Sequence, residues 1–153
     1  PGEYGGGGGV VAEYNVAAYP KDYQRVFMEP WDMTITPLDT CGFVRLRGEK
    51  YRAVRKCNDP LVQAVIENYR IWSETLGRQE DFEVQSSILF DTVAIYLSFS
   101  QELLTTEKLG IRVTDDGYTV IDPNAKLINC AMGWKDLAAF EDLLVDRLTG
   151  MQI

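Results

Sequence analysis

The sequence contains no histidine. A histidine general base, a Ser-His-Asp triad and a histidine metal ligand are therefore all closed to its own residues. Cysteine is scarce: Cys41, Cys57 and Cys130 are widely spaced, odd in number and form no CxxC pair. That usage suits the reduced thiols of a cytoplasmic protein better than a disulfide framework or a zinc site. No apolar run reaches the length of a membrane span, and the polar, glycine-rich beginning shows no signal-peptide pattern. Positive charge is also short, with 15 Lys and Arg against 23 Asp and Glu and a net charge of -8. A nucleic-acid surface needs clustered cations. The densest cationic run, Arg45, Arg47, Lys50, Arg52, Arg55 and Lys56, is interrupted by Glu49 and reads as a solvated loop or helix end. Neither nucleic acid nor membrane is expected as a partner.

What is present describes a folded domain. The chain has 153 residues, 46% hydrophobic and 11% aromatic, enough for one core. A glycine run fills residues 5–9 and predicts a loop over 1–9; behind it, Val10 to Val16 reads as a short strand or strand end. Pro20 suits the first position of a helix that carries Tyr23, Val26 and Phe27 on one face. Met33, Ile35 and Pro37 alternate with threonines, a half-buried strand pattern that ends at "PLDT". Asn58-Asp59-Pro60 opens a helix with Leu61, Val65, Tyr69, Trp72 and Leu76 at helical spacing, and residues 77–83 read as a charged linker. "SSILFDTVAIYLSFS" is apolar nearly all round, which predicts a centrally buried helix. Ile111–Thr114 and Tyr118–Ile121 flank Asp116-Gly117 as a β-hairpin, and Leu127–Cys130 reads as a further strand. Asp136 caps a last helix bearing Leu137, Phe140, Leu144 and Leu148, and Gly150 ends it. Strands and helices interleave, so the fold class is α/β.

Two places carry candidate chemistry. Asp91 is the only charged residue between Ser86 and Ser100. It reads either as a first-turn acid stabilised by the helix macrodipole or as a carboxylate ligand at a helix amino terminus. Glu13 and Asn15, if the segment is extended, project to the same side. An acid and an amide so placed can hold the vicinal hydroxyls of a sugar, since the carboxylate accepts while the amide both donates and accepts. The alternative is an edge-strand pair facing water. The glycine run fits neither the GxxxxGK[ST] nor the GxGxxG pattern and reads as a flexible loop rather than a phosphate cradle. Asp39, and Asp115 with Asp116, read as a strand-end cap and a turn.

In order and spacing, "EYGGGGG" and "VVAEYNV", then "MTITPLDT", then "LFDTVAIYL", resemble the carboxy-terminal half of the inosine-uridine-preferring nucleoside hydrolases. The resemblance covers nearly the whole chain and implies part of a nucleoside-hydrolase-like (Rossmann-like) open sheet with flanking helices and a terminal β-hairpin. It implies that residues 1–153 form a single partial domain, and that Glu13 and Asn15 bind ribose hydroxyls of a ribonucleoside. Asp91 matches a calcium-ligating aspartate, and Phe90 stands beside the base where the family usually has histidine. The family's DxDxxxDD-like aspartate cluster, which supplies most calcium ligands and the base that activates water, has no counterpart here. Calcium bound through this chain alone is therefore expected to have an incomplete site, and hydrolysis of the N-glycosidic bond to be weak or absent. A partial sheet also leaves a strand edge and apolar helix faces open, which implies a homo-oligomer. The alternative is a non-catalytic oligomeric remnant that binds a pentose or nucleoside weakly.

Overall fold

The computed structural model describes residues 11–150, so the loop expected over residues 1–9 lies outside the described residues. Eight helices and four strands are formed among them. The described residues divide into two compact units, the first built from residues 11–42 and 90–135, the second from 43–89 and 136–150.

The first unit holds the sheet. Its strands are β1 (Thr34–Ile35), β2 (Leu104–Val113), β3 (Thr119–Ile121) and β4 (Leu127–Trp134), in the order β1-β4-β2-β3. β1 runs parallel to β4, with Ile35 opposite Cys130, whereas β2 pairs antiparallel with both β4 and β3. The sheet is therefore mixed and open, with the expected hairpin at one edge. The second strand of that hairpin begins one residue later than predicted, and the first begins at Leu104, well before Ile111. Polar Thr105, Glu107 and Lys108 hide the strand from a reading based on apolar runs, since only alternate residues face the core. One face of the sheet carries a core of Val16, Phe27, Ile111, Val113, Ile128 and Cys130, with Tyr23, Met33, Ile35 and Leu109 packed against it.

Two short helices precede the sheet, α1 (Tyr14–Ala18) and α2 (Pro20–Met28). The predicted strand over Val10–Val16 is not formed within the described residues. Instead Glu13 is an N-cap in extended backbone, its carboxylate accepting from the Val16 amide, and Tyr14-Asn15-Val16-Ala17-Ala18 wind up behind it. Helix α7 (Phe90–Leu97) is shorter than its apolar run and is not buried all round: Val93 and Tyr96 face inward while Ile95 and Phe99 are exposed. Helix α3 (Leu38–Cys41) places Asp39 in a first turn rather than at a strand end.

In the second unit, α4 (Gly48–Lys56), α5 (Pro60–Thr75), α6 (Gln79–Val84) and α8 (Leu137–Thr149) surround a core of Leu46, Tyr51, Val54, Val62 and Val145. The expected linker 77–83 mostly forms α6. The cationic run is largely helical, and three of its charges are paired: Lys50 with Glu141 and Asp142, Arg52 with Glu49, and Arg55 with Glu83. Helix α8 has the predicted limits, with Asp136 accepting from the Ala139 amide and Gly150 closing it at a φ of 67°.

Tyr51 anchors this core. Its ring is buried and its hydroxyl donates to the Phe82 carbonyl at 2.7 Å. Burial pushes the Tyr51 hydroxyl from 10.0 up to about 12, against a smaller opposing effect of Arg55. Because the folded value lies above the unfolded one, the stabilising contribution is complete below pH 10 and is lost as the pH rises towards 12. Alkaline denaturation should show a fall of about 2–3 kcal/mol across that window. Tyr51→Phe should abolish the fall while destabilising the protein by about 1–3 kcal/mol at neutral pH, because the Phe82 carbonyl loses its donor.

Candidate functional site

The site residues singled out from the sequence lie in the first unit, on two separate segments. Val16 faces the sheet core and holds α1 against it, which leaves Glu13 and Asn15 at the amino-terminal end of the helix. One Glu13 oxygen accepts from the Val16 amide at 3.0 Å and the other from the Asn15 side-chain amide at 3.1 Å. The acid and amide are thus brought together, but by a helix cap rather than by the two-residue repeat of a strand. An ionised carboxylate offers about four acceptor sites, so the two internal bonds leave it capacity for a ligand. The Asn15 amide likewise retains a second hydrogen and its carbonyl oxygen. Glu13 is half-buried and Asn15 exposed, which makes both reachable from solvent.

Phe90 and Asp91 are the first two residues of α7; Phe90 is half-buried and Asp91 exposed. Helix α3 lies between the two segments in the sequence. Thr40 is fully buried and its hydroxyl donates to the Ala131 carbonyl of β4 at 2.7 Å, while the Trp134 indole donates to the Thr40 carbonyl at 2.9 Å. These two bonds fix α3 on the sheet and set the side chain of Cys41.

Cys41 is the residue that sequence reasoning missed. Its thiol is buried and donates to the Thr36 carbonyl at 3.9 Å. Burial is the main reason that this thiol is pushed above its usual value, and the negative charges of Asp91 and Glu13 add to the rise. Glu13 and Asp91 lie far apart in the sequence, in the two segments of the unit, yet both charges act on Cys41. No sequence signal marks Cys41, because a lone cysteine two residues after an aspartate matches no motif.

Whether these residues fit a calcium ion can be judged from the donor set. Calcium takes six to eight oxygens. Among the described residues, no three His, Cys, Asp or Glu side chains gather closely enough to hold a metal ion. Asp91 and Glu13 therefore do not constitute a calcium site by themselves. No helix of the described residues is long and apolar enough to cross a membrane.

No protein-family model and no curated protein sequence matches the chain. Solved structures do. A plant nucleoside hydrolase superposes with a TM-score of 0.73 at 16% identity, over 91% of this chain and 48% of its own. A purine-preferring ribonucleoside hydrolase from Gardnerella vaginalis gives a TM-score of 0.68 at 20% identity, over 91% of this chain and 46% of its own. The chain thus has a nucleoside-hydrolase-like α/β fold, and it spans about half the length of these two structures.

Proposed function

We propose that this chain contributes the ribose-binding side of a ribonucleoside hydrolase site. The observation that carries the reading is the hydrogen-bonded Glu13–Asn15 pair at the solvent-reachable amino-terminal end of α1 within a nucleoside-hydrolase-like fold. Glu13 accepts hydrogen bonds from the vicinal hydroxyls of the ribose, and Asn15, oriented by its bond to Glu13, donates one and accepts another. Phe90 borders the nucleobase, where an aromatic ring offers a stacking surface but no proton. Asp91 supplies one oxygen towards a calcium ion. The described residues leave that ion short of ligands.

In the complete enzyme the reaction is hydrolysis of the N-glycosidic bond to base and ribose. This chain alone binds the sugar and turns it over weakly or not at all. The second reading, a non-catalytic oligomer that binds a pentose or nucleoside, shares the same Glu13–Asn15 contacts and is favoured by the sparse donor set around Asp91.

Recognition of vicinal hydroxyls has a direct consequence. Calorimetric titration should show 2′-deoxyinosine binding at least roughly tenfold more weakly than inosine, since one hydrogen bond to a charged acceptor is lost. Equal affinities would mean that the acid and amide do not read the ribose, and both readings would fall.

A further inference from the structure

Asp116-Gly117 is the one place in the 153 residues where an aspartate or asparagine precedes a glycine. Such a pair is reactive because glycine has no side chain to keep its amide nitrogen away from the preceding carboxyl. The turn between β2 and β3 tethers both groups to a single residue. The Thr114 hydroxyl donates to the Asp116 carboxylate, and the Gly117 amide donates to the Thr114 carbonyl at 3.1 Å. Thr114 is itself fixed: its amide donates to the Tyr118 carbonyl at 2.8 Å, and its hydroxyl accepts from the Tyr118 amide at 2.9 Å. Holding two reacting groups side by side removes part of the entropic barrier between them.

We propose that Asp116-Gly117 is a site of spontaneous isoaspartate formation, and that the modified turn displaces α1. The Gly117 nitrogen leaves the Thr114 carbonyl and attacks Cγ of Asp116 in its acid form. A C–N bond forms and one Cγ–O bond breaks. The oxygen departs as water, carrying the carboxyl proton and the amide proton. Asp116 is exposed, so water reaches the five-membered imide and opens it. Addition at Cγ restores aspartate. Addition at the main-chain carbonyl leaves the chain running through Cγ, with the former main-chain carboxyl as the side chain. No oxidant, metal or second substrate enters the sequence.

The product chain is longer by one methylene, about 1.5 Å of C–C bond. The turn has no slack to absorb it. Val113 and Thr119 are paired in register, and Gln24 of α2 clamps the near side through the Val113 carbonyl at 3.1 Å and the Asp115 carboxylate at 3.0 Å. Gly117 is buried, and a carbon added to it would lie 2.4 Å from the Ala17 Cα and 2.8 Å from the Ala17 nitrogen. That nitrogen donates to the Glu13 carbonyl at 2.8 Å, within the first turn of α1. The extra methylene therefore presses on α1 and loosens its cap, in which Glu13 takes the Val16 amide at 3.0 Å. The inference does not depend on what Glu13 binds.

The test is to age the isotopically labelled full chain, kept folded at neutral pH and sampled over weeks. Isoaspartate is counted by enzymatic methyl transfer from S-adenosylmethionine and located by peptide mapping. It should accumulate at residue 116 and at no other aspartate to a comparable extent. The Val16 amide cross-peak should split, with the new peak growing in step with the isoaspartate. Asp116→Glu keeps the charge but would have to close a six-membered ring, and Asp116→Ser has no carboxyl to close one. Aged alike, both variants should show neither change, and residue 116 is exposed enough for both to keep the wild-type circular dichroism spectrum. Absence of isoaspartate at residue 116, or a split Val16 peak in the aged variants, would overturn the proposal. So would isoaspartate at residue 116 beside a single unmoved Val16 peak, because the turn would then not bear on α1.

Discussion

Replacing Gly117 with alanine is expected to destabilise the protein by roughly 2–5 kcal/mol and to weaken sugar binding with it. Gly117 closes the β2–β3 turn at a φ of 85°, with its amide donating to the Thr114 carbonyl at 3.1 Å. A left-handed conformation costs a residue with a side chain about 1–2 kcal/mol. The second penalty comes from space: a Cβ at Gly117 would lie 2.4 Å from the Ala17 Cα, a backbone atom that cannot rotate aside. Overpacking of this kind costs about 1–3 kcal/mol. The turn therefore presses on the back of α1, and Gln24 of α2 holds it there through the Val113 carbonyl at 3.1 Å and the Asp115 carboxylate at 3.0 Å. Moving α1 moves its cap, Glu13. Gly77 is the control, because it has a φ of 67° and nothing within 4 Å of a Cβ. Gly77→Ala should cost only the backbone part, about 1–2 kcal/mol. Chemical denaturation of the two variants separates the terms; equal losses would show that the turn does not bear on α1.

The elements legible in the sequence are those written in local chemistry. Asp59-Pro60, Pro20 and the Asp136-to-Gly150 span carry caps or fixed backbone angles, and each begins or ends a helix where its signal stands. Asp116-Gly117 likewise marks the hairpin. What stayed hidden depends on tertiary contact. The apolar stripes Leu61/Val65/Trp72/Leu76 and Val62/Ile66/Tyr69 have the same period, and periodicity alone does not say which one meets the core. "VVAEYNV" reads as a strand because its valines are β-formers, and glutamate is an uncommon N-cap. Its helical turn follows from Val16 docking on the sheet and the Glu13 carboxylate taking the Val16 amide. In the candidate site, Glu13, Asn15 and Asp91 stood out through residue type and order, and Phe90 through its place before Asp91. Cys41 did not, since only the fold brings it within the fields of two carboxylates.

Glu13→Ala should reduce ribose affinity by roughly tenfold to 150-fold, the value of about 1.5–3 kcal/mol for a hydrogen bond to a charged acceptor. Part of that loss is indirect, because the cap on α1 is worth about 0.5–2 kcal/mol and the helix loosens without it. Serine separates the two roles. It is a preferred N-cap, so Glu13→Ser should keep α1 folded, but its short hydroxyl removes the carboxylate from the sugar. The proposal requires Glu13→Ser to lose affinity nearly as Glu13→Ala does. Wild-type affinity in Glu13→Ser would make Glu13 a structural cap and nothing more.

The most direct measurement is a ribose titration of the isotopically labelled chain, followed by NMR at the Asn15 side-chain amide and the Cys41 Cβ. The Asn15 amide donates to Glu13, and the charges of Glu13 and Asp91 both act on Cys41, so the two signals report on the same pair of carboxylates. The expected result is that both shift along one saturation curve, and that Glu13→Ser flattens it. If ribose leaves both signals in place, or shifts only residues of the other unit, Glu13 and Asp91 do not bound a sugar site.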